Sequence, residues 1–152
     1  FDPRSSHVIP ALIRKVYEAK QADDPFVEVW GDGSASREFL YVEDAAEAIV
    51  LATERYDGAE PVNIGAAREI TIRELIEVIC ELMDYRGEIR WDTTKPNGQP
   101  RRCLDVSRAE KEFGFRAKVD FRTGLRKTID WWHTVMAAEA PLAAVGTDTS
   151  TS

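Results

Sequence analysis

The chain carries only two histidines and two cysteines, His7, His133, Cys80 and Cys103, and none of them recurs at metal-ligand spacing. A zinc site is not expected, because structural zinc needs four such ligands brought together. Cys80 falls on an apparent helix face and Cys103 in a short apolar stretch. Neither belongs to a disulfide framework, so both are expected as reduced thiols of a cytoplasmic protein. No apolar run approaches the ~18 residues of a membrane-spanning helix, and the opening residues lack the succession of a secretory signal. Two further motifs are missing from the 152 residues: a G-x-G-x-x-G phosphate loop and a Tyr-x-x-x-Lys pair. Without them the chain is not expected to cradle a dinucleotide or carry out hydride chemistry by itself. Excess positive charge is lacking too. Lys and Arg number 20 against 27 Asp and Glu, a net charge of −7, and the basic groups alternate with acidic ones, which argues against a nucleic-acid face.

What is present suffices for one globular core, since 43% of the residues are hydrophobic and 31% charged. The chain opens at Phe1 in a polar loop and reads as a piece of something longer. Residues 1–137 are expected to form the folded unit. Residues 138–152 are low in complexity and are expected as a disordered tail.

Ile9, Leu12, Ile13, Val16 and Tyr17 recur at helical spacing, with Ser6 as the expected N-cap and Pro10 tolerated in the first turn. Residues 26–30 read as a strand, and the glycine turn from Gly31 leads to a second strand expected over 37–42. Asp44 is expected to begin a helix whose Ala45, Ala48 and Ala52 permit close packing. Val62 to Gly65 reads as a short buried strand. Thr71 and Glu74 have capping-box spacing for a helix that turns Leu75, Ile76, Ile79, Cys80 and Met83 inward. Glu88 to Trp91 reads as another strand. Ser107 and Glu110 repeat the capping-box spacing for a short helix ending at Gly114, and a last helix is expected from about residue 120 to 137. Strands and helices alternate, but the strands are few and short. The fold class is therefore α/β with an incomplete sheet whose strands would pair best with strands outside this chain.

Cations stand out against the acidic background. His7 shares the polar side of the first helix with Arg14 and Lys15; eight residues place His7 and Lys15 within about 80° of one line. Imidazole titrates near neutrality and suits proton transfer at carbon next to a carbonyl. Trp30 at a strand end and Arg37 after a glycine turn suit a flat ring and a diphosphate. The loop 92–102 combines Lys95, Asn97, Arg101 and Arg102 with two prolines and a glycine, the composition of a ligand clamp or of a solvated loop.

Three stretches carry a resemblance: SHVIPALIRK from Ser6 to Lys15, VWGDGSASREFL from Val29 to Leu40, and KPNGQPRR from Lys95 to Arg102. Together they resemble the C-terminal, substrate-binding part of the GDP-L-fucose synthase family. The linking segments FLYVEDAA, PVNIG and TIREL fit the wider extended short-chain dehydrogenase/reductase family, which has a Rossmann-like fold. The resemblance covers residues 1 to about 136. It implies an enzyme that epimerises GDP-4-keto-6-deoxy-D-mannose at C3 and C5 and then reduces the C4 ketone with NADPH. By the match His7 is the epimerisation acid and lies beside the nicotinamide, and Lys15, Trp30, Arg37, Asn97 and Arg102 fall at substrate-contact positions. Asn97 stands where relatives are expected to carry Asp. The reduction pair, a partner cysteine and the NADPH loop belong to an N-terminal half that this chain does not contain, so the chain alone is expected to be inactive. Two rival readings remain open from sequence. One is part of another nucleotide-sugar epimerase or dehydratase; the other is a non-catalytic module that binds a nucleotide sugar or self-associates.

Overall fold

A computed structural model describes residues 7–143, the side chains of residues 138–143 excepted. Helix α1 (Val8–Gln21) is followed by strands β1 (Phe26–Trp30) and β2 (Ser36–Glu38), helix α2 (Val42–Arg55), strand β3 (Glu69–Thr71) and helix α3 (Ile72–Leu82). Strands β4 (Glu88–Asp92) and β5 (Arg101–Arg102) and helices α4 (Ser107–Phe113) and α5 (Phe121–Ala143) complete the order. The helices are long and the strands short, and the α/β class with an incomplete sheet is what the chain adopts.

The main core forms around a parallel ribbon. β1 and β4 pair in parallel with Val27 opposite Ile89 and Val29 opposite Trp91. Val27 and Val29 are buried whereas Glu28 and Trp30 are exposed, the alternation of a strand covered on one face. The cover comes from amphipathic helices. Leu12, Ile13 and Val16 of α1 meet Leu75, Ile76 and Ile79 of α3, and Leu125, Ile129 and Trp132 of α5 join the same cluster. Each buried aliphatic side chain contributes about 1.5–3 kcal/mol.

A smaller core joins α2 to α4 through Ala48, Ala109, Phe113 and Phe115, where Ala48 is small enough for close helix approach. Beside it Asp44 is buried, and its carboxylate accepts the backbone N–H groups of Lys118 and Val119 at 3.1 and 3.0 Å. The expectation that Asp44 begins α2 is corrected: Tyr41 holds the N-cap position, and Asp44 points inward as a tie to the segment before α5. The small sheet runs β3-β2-β5, with β2 antiparallel to β3 and parallel to β5.

Local signals fared unevenly. The Thr71–Glu74 capping box forms in both directions, and Gly114 ends α4 at φ 75°. The box expected at Ser107 does not form; Val106 takes the cap position, and the Ser107 N–H is claimed by Asp105 Oδ1 at 2.9 Å. Val62 to Gly65 is not a strand, because Val62 and Ile64 spend their apolar surface on the smaller core. The strand expected over 37–42 stops at Glu38, since the chain turns into the N-cap of α2 at Tyr41. His7, not Ser6, stands at the N-cap of α1, and its side chain makes no capping bond. Helix α5 runs past the boundary expected at residue 137. Ser6, the rest of the opening loop and residues 144–152 of the expected tail lie outside the described residues.

Candidate functional site

The parallel register of β2 and β5 sets Arg37 directly opposite Arg102. Register partners in a parallel ladder project from the same face, so the two guanidinium-bearing residues are neighbours there. They line a groove of about 530 Å³ together with His7, Glu38, Phe39 and Gly65. His7 reaches it because α1 starts at Val8 and leaves the imidazole at the helix mouth. Like-charged guanidinium groups on one wall repel each other unless an anion lies between them, so the wall suits a phosphate or diphosphate. Arg37 is braced for this: its Nη1 donates to the carbonyls of Ser36 and Gln99, each at 2.6 Å.

A second cluster occupies the carboxyl ends of the parallel ribbon, where Trp30 is opposite Asp92. Open α/β sheets bind ligands at that end of their strands. Trp30 presents an exposed indole, with Lys15 Nζ 5.5 Å and Lys95 Nζ 5.8 Å from its ring centroid. Lys15 Nζ also donates to the Glu28 carbonyl at 3.0 Å, which holds it over the ring. The turn beneath is tightly fixed. Gly31 sits at φ 83° and donates to the Asp92 carbonyl at 2.9 Å, while the Asp32 N–H donates to Asn97 Oδ1 at 2.8 Å. Hydrogen bonds from Ser34, then Asn97, hold the Asp32 carboxyl below the usual range, and Thr94 does the same for Asp92.

The structure therefore sorts the expected residues into two adjoining groups. His7, Arg37 and Arg102 share the groove, whereas Lys15, Trp30 and Asn97 gather at the strand ends; Lys15 is not among the groove's lining residues. The loop 92–102 joins them, because Gln99 holds Arg37 and Asn97 holds the Asp32 turn. Asn97, expected to touch substrate, accepts the Asp32 N–H and so also holds the turn. One contributor was not singled out from sequence, Glu38. The Glu38 carboxylate accepts the N–H groups of Ala67 and Leu104, both at 2.8 Å. Only the register of the small sheet reveals that role. Among the described residues no group of three His, Cys, Asp or Glu side chains is placed to hold a metal ion, and no helix is long and apolar enough to cross a membrane.

The model of the NAD dependent epimerase/dehydratase family matches residues 1–65. Over 132 residues, 87% of the chain, the sequence is 48% identical to GDP-L-fucose synthase 1 of Arabidopsis thaliana. Residues 1–65 are thus similar to the NAD-dependent epimerase/dehydratase family, and most of the chain is similar to GDP-L-fucose synthases. GDP-L-fucose synthase of Escherichia coli strain K12 is 39% identical over 141 residues. The chain spans 41% of the length of the Arabidopsis protein and 44% of the bacterial one. Among solved structures of this fold, a GDP-L-fucose synthetase from Naegleria fowleri bound to NADP superposes with a TM-score of 0.83 at 25% identity. The match covers 90% of this chain and 43% of that one. UDP-glucose 4-epimerase of Thermotoga maritima, solved with UDP-glucose, gives a TM-score of 0.76 at 26% identity, over 89% of this chain and 42% of that one.

Proposed function

We propose that this chain is the substrate-binding part of a GDP-L-fucose synthase, an enzyme that epimerises GDP-4-keto-6-deoxy-D-mannose and reduces it with NADPH. The observation that carries the reading is the Arg37–Arg102 pair on one wall of the groove that His7 lines. Two guanidinium groups suit the diphosphate of a nucleotide sugar. The ketone at C4 acidifies its neighbouring carbons, and the His7 imidazole is the group suited to return a proton there. Trp30, with Lys15 and Lys95 beside its ring, offers a flat apolar plate with positive charge next to it. Asn97 keeps the turn that carries this plate in place.

The residues present do not fit a dinucleotide. Among the described helices, α1 to α4 have His7, Tyr41, Thr71 and Val106 at their N-caps, and none opens on a glycine-rich turn. NADPH would be held by the rest of a full-length protein, with His7 as this chain's contribution near the nicotinamide. We place the protein in the cytoplasm.

A second reading has its own observation. Val42, Ile49 and Val50 of α2 are exposed, an apolar stretch that favours self-association of a non-catalytic module.

The test is reconstitution. The chain is joined to the N-terminal part of Arabidopsis thaliana GDP-L-fucose synthase 1 and assayed for NADPH oxidation with GDP-4-keto-6-deoxy-D-mannose. Turnover by the hybrid that disappears in His7→Ala supports the reading. Turnover by the chain alone, or a hybrid that folds yet uses only a UDP-sugar, contradicts it.

A further inference from the structure

Glu38 lies next to Arg37 in β2, with Gly65 and Leu104 lining the same groove. Its two carboxylate oxygens serve different segments: Oε1 accepts the Ala67 N–H and Oε2 accepts the Leu104 N–H, each at 2.8 Å. Leu104 is two residues beyond Arg102, and β5 is only two residues long. So short a strand does not fix Arg102 by itself. Ala67 adopts φ 56°, a conformation an alanine holds only when its surroundings impose it. Approach to the loop is close as well: a Cβ on Gly65 would lie 2.2 Å from Glu38 Oε1. One carboxylate thus draws the 64–67 loop and the strand carrying Arg102 onto β2.

We propose that Glu38 is a positioning residue for the anion-binding wall, fixing Arg102 opposite Arg37 by accepting the Leu104 and Ala67 amides at once. Only a carboxylate of this length meets the requirement. Glutamine replaces one acceptor with an NH₂ donor facing an N–H donor, and aspartate is one methylene too short to reach both. The proposal rests on the diphosphate reading of the groove for its functional consequence. Its structural consequence, the order of Arg102, is independent of any ligand.

The test compares the full chain with Glu38→Gln and, should that variant be unfolded, Glu38→Asp. Amide hydrogen exchange, relaxation of the Arg102 Nε–H and calorimetric titration with GDP are measured on each. Exchange at Ala67 and Leu104 is expected to rise about tenfold or more while Ile76 and Ile79 stay protected. Arg102 Nε–H should become mobile, and GDP binding should weaken about fivefold or more with a thermal midpoint near that of the parent. Faster amide exchange with Arg102 order unchanged, or with GDP affinity unchanged, overturns the proposal. If the parent chain binds no GDP, the diphosphate reading fails separately. Arg102 relaxation then decides: mobility gained in Glu38→Gln supports the positioning role, and no change refutes it.

Discussion

The backbone N–H of Asp32 donates to the side-chain oxygen of Asn97 at 2.8 Å, closing a link between residues 65 apart in sequence. The link places the glycine turn after β1 against the loop after β4 and leaves Gly31 no room for a side chain: a Cβ there would lie 2.1 Å from Asn97 Oδ1. Trp30 is the last residue before that turn, so the orientation of its ring depends on a hydrogen bond made by the loop.

Gly31→Ala should accordingly destabilise the chain by about 1–3 kcal/mol, from the positive φ and the displaced Asn97 together. Urea unfolding gives the value. Asn97→Ala, which removes only the acceptor, should cost about 1 kcal/mol. A Gly31→Ala chain as stable as its parent would mean that the turn is not held as described.

The thiols should separate sharply in reactivity. Burial pushes Cys80 up to about 11, whereas Cys103 is exposed, though its thiol is also raised, by desolvation and then by Glu38. Alkylation at pH 8 should label Cys103 slowly in the native chain and leave Cys80 unlabelled until unfolding, with mass spectrometry as the readout. Cys80 also contributes to pH dependence. Its folded thiol stays protonated above the ordinary value of 9.0, so its contribution is complete below about pH 9 and is lost as pH rises towards 11. Cys80→Ala should flatten the alkaline fall in thermal midpoint.

Acid should act through the capping box. Backbone and side-chain hydrogen bonds from Thr71 hold the Glu74 carboxyl below its ordinary value of 4.5. A depressed carboxylate stabilises the fold above its unfolded value, and that contribution disappears as pH falls through the folded value. The thermal midpoint of the parent chain should therefore drop below about pH 4.5, and Glu74→Gln should show a smaller drop from a lower starting point. Equal slopes in the two proteins would remove Glu74 from the account.

Features written in neighbouring residues were legible from sequence. Thr71 and Glu74 are three apart and cap α3, and residues 26–30, read as a strand, form β1. The same reasoning misjudged Val62 to Gly65, because a short apolar run fits a buried strand and an irregular segment packed on helices equally well. The cap of α4 was misplaced as well, because the Ser107 N–H goes to Asp105 and not to the Glu110 side chain that a capping box needs. Candidate site residues could be named from sequence, but their arrangement was hidden. Nothing local says that Arg37 faces Arg102, since β5 has no pattern of its own and takes its place only by pairing with β2. Glu38 was invisible for a related reason: its partners, Ala67 and Leu104, are backbone groups distant in sequence. His7 and Lys15, near in helical rotation, part because Lys15 leans onto Trp30 and Glu28.

Calorimetric titration of the chain with GDP, with UDP and NADPH as controls, tests the central claim most directly. The account predicts that GDP binds, that UDP binds more weakly and NADPH not measurably, and that Arg102→Ala weakens GDP binding about tenfold or more, as loss of a charge-assisted contact should. Equal affinity for GDP and UDP, or GDP binding unchanged in Arg102→Ala, would contradict it.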